Sequence, residues 1–134
     1  MMIIFIDSGP FRAANDNLDQ HHKKAMEGFS KLDSGQYKLV TTDYVIDETY
    51  TGLLGRPGYH AAMNFDRALR QSRIQVEFIN PERFMKTQEV FRRYNKDKEW
   101  SFTDCTSYVV MKELKISTAF TFDQNFAQMG FKIL

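Results

Sequence analysis

Four acidic residues, Asp7, Glu48, Asp104 and Asp123, stand where carboxylates can do chemistry. Asp7 and Asp123 each close an apolar run, Met2–Ile6 and Ser117–Phe122. Each is therefore expected at the carboxyl end of a parallel strand, the edge at which open α/β sheets build their sites. Asp104 falls in the first turn of a helix that Ser101 opens. Glu48 lies mid-helix, two residues past Ile46, which is about 200° of rotation and well off the apolar face. Carboxylates that converge repel one another and raise each other's pKa. A hard divalent cation such as Mg²⁺ or Mn²⁺ takes carboxylate oxygens and water, and so removes that penalty. Beside a phosphodiester, such a cation also generates a hydroxide nucleophile and steadies the leaving oxygen.

Each residue also has a plainer reading. Asp7 in Asp7-Ser8-Gly9-Pro10 could be a turn aspartate. Ser101 and Asp104 have the spacing of a capping box, with Asp in place of the usual Glu. Asp123 could cap the short helix after it, and Glu48 could be a solvated helix residue. Taken singly these alternatives stay open; it is the set of four that points to a metal.

The elements that must position these residues alternate between strand and helix. Met2–Ile6 reads as a buried strand, a continuous apolar run stopped by turn residues. A short helical segment is expected after Pro10, and a helix over His21–Leu32 that ends at Ser34-Gly35. Lys38–Thr41 is a strand, after which Asp43 caps a helix over Tyr44–Leu54 with Ile46, Tyr50, Leu53 and Leu54 on one face. Beyond the break at Gly55-Arg56-Pro57-Gly58, Tyr59–Ser72 is a helix and Ile74–Ile79 a strand. Pro81 opens a helix to about Tyr94. Ser101 opens another, to about Lys115. Ser117–Phe122 is a strand, Gln124–Met129 a helical turn, and Phe131–Leu134 a last small strand. The alternation predicts parallel βαβ units stacked as a three-layer α/β/α sandwich with a central parallel sheet.

The 134 residues make one domain, 1–134. The formal net charge of +1 gives no support for a nucleic-acid binder, and none against one whose charge is segregated. The single cysteine, Cys105, leaves no intramolecular disulfide, which suits a reducing compartment. The start, MMIIFIDSGPF, lacks the basic flank of a signal peptide. No run approaches the ~20 apolar residues of a spanning helix. The expected location is the cytoplasm, with no membrane association.

Four segments resemble the PIN-domain family in order along the chain: IIFIDSGPF, VTTDYVIDETYT, WSFTDCTSYVVMKEL and TAFTFDQNFAQMGF. The resemblance implies a parallel α/β/α sandwich and a nuclease that cuts single-stranded RNA with Mg²⁺ or Mn²⁺. It also implies kinship with the VapC-type toxins of toxin–antitoxin pairs, and hence RNA as substrate, an antitoxin protein as partner and a homodimer. The family's metal-site acids fall on Asp7, Glu48, Asp104 and Asp123, with Asp47 a weaker candidate. Ser8 and Thr103 are the small hydroxyl residues placed to hydrogen-bond a carboxylate or a metal-bound water. Asn125 stands where the family often has another polar or acidic group, so a neutral amide there makes a tightly held second metal less expected. The rival reading is a non-catalytic RNA-binding or partner-docking PIN module, which would have no need of intact acids. A phosphoacceptor receiver domain shares the fold class, but the acidic pair it wants next to the first strand is missing after Ile6.

Among the remaining residues, His21 and His22 diverge on a helix and read as surface histidines, as does His60. Cys105 reads as a small buried residue. Arg67, Arg70 and Arg73 recur every third residue along one helix face. They read either as a solvated face or as a wall that tracks RNA phosphates near the acidic pocket. Arg92, Arg93, Lys96 and Lys98 are mixed with Glu89, Asp97 and Glu99 and read as surface. Trp100, just before the Ser101 cap, reads as a packed aromatic.

Overall fold

The computed structural model describes residues 1–134. Strand β1 (Met2–Ile6) leads to helices α1 (Ser8–Ala14) and α2 (His22–Leu32). Then β2 (Tyr37–Thr42) leads to α3 (Asp43–Gly55) and α4 (Tyr59–Gln71), and β3 (Gln75–Glu77) to α5 (Pro81–Tyr94) and α6 (Phe102–Glu113). The chain closes with β4 (Thr118–Phe120), α7 (Asn125–Gln128) and β5 (Lys132–Ile133). The five strands form one sheet in the order β3-β2-β1-β4-β5, every pair parallel.

That order fixes the layers. Parallel crossovers are right-handed, so the connections from β1 to β2 to β3 lay α1–α4 on one face. The return from β3 to β4 crosses the sheet in the opposite sense and lays α5 and α6 on the other. The expected α/β/α sandwich follows. The order also creates a switch point: the chain leaves β1 toward β2 and leaves β4 toward β5, in opposite directions along the sheet. A crevice opens at the carboxyl ends of two such neighbouring strands.

β1 sits in the centre. It pairs with β4 through Ile4–Thr118, Phe5–Ala119 and Ile6–Phe120, which makes neighbours of the two apolar runs that Asp7 and Asp123 follow. Ile4, Phe5 and Ile6 are wholly buried, as a strand covered on both faces must be. Each such side chain contributes about 1.5–3 kcal/mol. The Asp7 backbone N–H then donates to the Phe120 carbonyl at 3.0 Å, carrying the β1–β4 pairing up to the first acid.

The structure corrects several boundaries. α1 begins at Ser8 rather than after Pro10; Pro10 sits in its first turn, where a missing N–H costs nothing. Thr42, not Asp43, caps α3. Thr42 ends β2 in an extended conformation, and its Oγ1 accepts from the Val45 N–H at 3.1 Å. Asp43 is already helical, and its carboxylate accepts instead from the Ile79 N–H at 2.9 Å. The buried stripe of α3 is Val45, Thr49 and Leu53, while Leu54 is exposed. Tyr50, on a flank of that stripe, packs edge-on against Phe65 of α4. α4 ends at Gln71, which leaves Arg73 outside the helix. β3 and β4 are three residues each, shorter than their apolar runs.

Candidate active site

β1 delivers Asp7 and β4 delivers Asp123 to the crevice at the switch point, and the start of α6 brings Asp104 there. Glu48 reaches it from α3. All four line one cavity of about 650 Å³. Asp47, one position round α3, is exposed and does not line it.

Each acid except Asp123 is held by a side chain. Ser8, at the start of α1, donates to Glu48 Oε1 at 2.5 Å. Thr121 Oγ1 donates to Asp7 Oδ2 at 2.8 Å and accepts from the Asp123 N–H at 3.0 Å. Asn125 Nδ2 donates to Asp104 Oδ2 at 3.0 Å. Asp123 Oδ1 accepts from the Asn125 N–H at 2.9 Å, closing a turn rather than capping α7. The Thr103 hydroxyl bonds no carboxylate; only the Thr103 carbonyl is engaged, by Thr106 and Ser107. It is Thr121 whose hydroxyl bonds an acid of the site.

Asp104 does two jobs. Ser101 Oγ accepts from its N–H at 3.0 Å, and its Oδ2 accepts from the Ser101 N–H at 3.3 Å, a complete capping box. The plainer reading of this residue is therefore true, and it does not remove Asp104 from the pocket. Both side-chain bonds fall on Oδ2, so Oδ1 takes no hydrogen bond from the protein.

The electrostatics follow from burial and crowding. Burial pushes the Asp7 carboxyl up to about 7 against the lowering effect of the Thr121 bond, and the charges of Asp104 and Glu48 push the same way. Asp104 is raised as well, first by burial and then by the charge of Asp123. No lysine or arginine lines the cavity. Glu99 lines it too, although sequence mixing with basic neighbours reads it as surface. His21, also read as surface, lines the cavity with its ring stacked on Phe122. The signal for Thr121 was its place two residues before Asp123 in an extended stretch, where alternate side chains share a face. The sequence carried no comparable signal for His21.

The donor set is all carboxylate, amide and hydroxyl oxygen, with one imidazole at the rim. As placed, no three acidic, histidine or cysteine side chains close into a cage around an ion. The oxygen chemistry of the donors, not their spacing, suits Mg²⁺ better than Zn²⁺, because Mg²⁺ takes carboxylate oxygens and keeps several waters. The residues fit a hydrated hard cation.

The expected arginine wall is not at the pocket. Arg67, Arg70 and Arg73 are exposed and none lines the cavity. Arg70 is bound to Asp66 at 2.9 Å, and Arg67 Nη1 donates to Asn64 at 3.3 Å. Elsewhere Cys105 and Trp100 are buried, with Trp100 Nε1 donating to Gln128 at 3.0 Å. No helix is long and apolar enough to cross a membrane.

The PIN domain profile matches residues 4–132. The chain is 29% identical over 129 residues to the 23S rRNA-specific endonuclease VapC20 of Mycobacterium tuberculosis, covering 96% of this chain and 95% of that one. It is 28% identical over 127 residues to a VapC ribonuclease of Archaeoglobus fulgidus, covering 94% and 80%. The crystal structure of M. tuberculosis VapC20, described as a sarcin–ricin loop cleaving toxin, superposes with a TM-score of 0.87 over 96% of this chain and 95% of that one. A crystal structure of VapBC2 from Rickettsia felis, bound to a promoter DNA fragment, shares the fold alone: TM-score 0.69 at 12% identity, covering 99% and 98%.

Proposed function

The chain belongs to the PIN domain family, and from that premise we propose that it is a divalent-metal-dependent endoribonuclease of the VapC toxin type. The observation that carries this reading is the convergence of Asp7, Glu48, Asp104 and Asp123 on one cavity at the switch point of a parallel sheet. The relatives named as ribonucleases span nearly the whole chain, and their named activity supports RNA as the substrate.

A bound Mg²⁺ or Mn²⁺ supplies Lewis-acid activation of water and neutralises charge on the phosphate. The chain's own residues hold and orient. Asp7, Asp104, Glu48 and Asp123 would hold the cation. Ser8, Thr121 and Asn125 each fix one carboxylate, so the oxygens are set before substrate arrives. Asp104 Oδ1, Glu48 Oε2 and Asp123 Oδ2 take no hydrogen bond from the protein and are free for a ligand or an ordered water. The acidic walls alone repel RNA, so binding of the strand depends on the cation and on contacts beyond the carboxylates.

A VapC-type toxin needs a silencer. A partner's arginine or lysine placed among these carboxylates would pair with them and exclude the cation. A second copy of this chain is the other partner we propose. Phe84, Met85 and Phe91 of α5, with Phe78 before it, leave an apolar face exposed. Light scattering should give a dimer at micromolar concentration; a monomer there removes that partner.

The test of function is cleavage of a mixed RNA pool and of 23S rRNA with Mn²⁺ against EDTA. Wild type should cut only with the metal. Asp7→Asn and Asp104→Asn should each abolish cutting while the chain stays folded. Either variant cutting at wild-type rate would refute the metal site. A wild type that binds RNA without cutting it would favour the RNA-binding module instead.

A further inference from the structure

The acidic pocket has one aromatic edge, and it is built. The rings of His21 and Phe122 lie 4.5 Å apart and 20° from parallel, and both line the cavity. Phe122 is braced from behind by Phe120 at 5.8 Å, and Phe120 by Phe29 at 5.1 Å. The row therefore runs from the buried Phe120 outward to the half-exposed imidazole.

The backbone beneath the imidazole is pinned. The His21 N–H donates to Asp19 Oδ1 at 2.7 Å. Its neighbour His22 bonds the Ala13 carbonyl at 2.7 Å through Nδ1, tying the start of α2 to α1. Neither ring nitrogen of His21 is engaged by a carboxylate. A ring fixed in this way presents a π-face at little entropic cost.

We infer that His21, backed by Phe122, is a nucleobase subsite that stacks the base of a nucleotide flanking the scissile phosphate. The inference rests on the nuclease reading above and adds where the strand lies. A phosphate among the carboxylates leaves its neighbouring bases unstacked, and an aromatic face is what single-stranded RNA takes in exchange. No lysine or arginine lines the cavity, so beyond the cation this ring pair is the contact its walls offer a base. Phe122 immediately precedes Asp123, so the stack and the carboxylates are fixed by one short stretch of chain.

The experiment combines protein variants with abasic RNA. The cut is mapped with wild type on a short single-stranded RNA, and abasic nucleotides are then placed one at a time on either side of it. His21→Ala should raise KM about tenfold with kcat within about twofold, the scale of one lost base stack. His21→Phe keeps a ring and should restore KM. At one flanking position the abasic RNA should cost wild type the same factor and cost His21→Ala nothing further. The two losses multiplying at every position would overturn the subsite and leave the nuclease intact. A His21→Phe enzyme as poor as His21→Ala, with one limb of the pH–rate profile gone, would overturn it in favour of proton transfer. Wild type failing to cut any RNA would sink the nuclease reading and the subsite with it.

Discussion

Thr121 and Asp7 lie 114 residues apart and are joined at 2.8 Å, Thr121 Oγ1 donating to Asp7 Oδ2. The same hydroxyl accepts from the Asp123 backbone. One side chain thus ties the ends of the two strands that carry acids into the crevice. Thr121→Val keeps the shape and removes both bonds. The variant should lose about 1 kcal/mol of stability and about tenfold or more in affinity for Mn²⁺, the usual cost of removing a partner of a metal ligand. Melting curves and calorimetric titration check both. Unchanged Mn²⁺ affinity would mean that Asp7 needs no help to stay oriented.

Asp7 sets a pH dependence. Its carboxyl is pushed up to about 7, chiefly by burial, whereas an aspartate in an unfolded chain titrates near about 3.9. Between these values the folded state binds more protons than the unfolded one, so stability falls as pH rises. The stabilising contribution of the protonated form is complete below about 4 and gone above about 7. Asp7→Asn carries no charge at either end. In EDTA it should melt higher than wild type at neutral pH and level with it near pH ~4. No gap at neutral pH would mean that the Asp7 carboxylate is better solvated than its burial indicates.

The parts of this fold that were legible are those where one physical signal acts alone. Met2–Ile6 is apolar throughout, and a central parallel strand is the simple outcome. Asp7 and Asp123 follow from strand ends, and Ser101 with Asp104 from capping geometry. What could not be read depends on contacts between distant elements. Asp43 and Thr42 are both good caps; Thr42 wins because Asp43 is drawn to the Ile79 backbone, 36 residues away. The α3 stripe shifted to Val45, Thr49 and Leu53 because the helix has neighbours on two sides, with Tyr50 serving α4. Thr121 shares a strand face with Asp123, but its bond to Asp7 spans 114 residues, and His21 joins the site through Phe122 at the far end of the chain, which no local pattern encodes. Arg67 and Arg70 kept their periodicity, but spacing says nothing about which way a helix face points.

Gly28 tests how closely α2 lies on the sheet. A Cβ there would overlap the Phe120 ring, with Cε1 and Cε2 both at 2.9 Å. That ring is hemmed in by Phe29 and Phe122 and cannot swing aside. Glycine to alanine inside a helix ordinarily gains about 1 kcal/mol, but overpacking a fixed core costs about 1–3 kcal/mol. Gly28→Ala should therefore lower the melting temperature. Gly52→Ala meets only the Arg12 guanidinium, the movable end of a long side chain, and should be neutral or stabilising. A stabilised Gly28→Ala would show that α2 sits higher off the sheet.

The arginines of α4 mark the difference between contact and field. α4 packs on α3, which carries Glu48, so Arg67 and Arg70 stand one helix removed from the cavity, and Arg73 lies beyond the end of α4. Exposed charges still act over a Debye length, about 10 Å at 0.1 M salt. Replacing all three by Gln should slow RNA association at low salt and flatten the salt dependence of binding. The cutting rate at saturating RNA and the Mn²⁺ affinity should not change. Each phosphate neutralised on a single strand contributes about −0.7 to the salt slope. Arg70 is already paired with Asp66, so the slope should fall by about 0.7–1.4 rather than by the ~2.1 of three full contacts. Fluorescence anisotropy across a salt series reads this directly. A fall of ~2.1 would put all three arginines on phosphates, and no change would make α4 a solvated face.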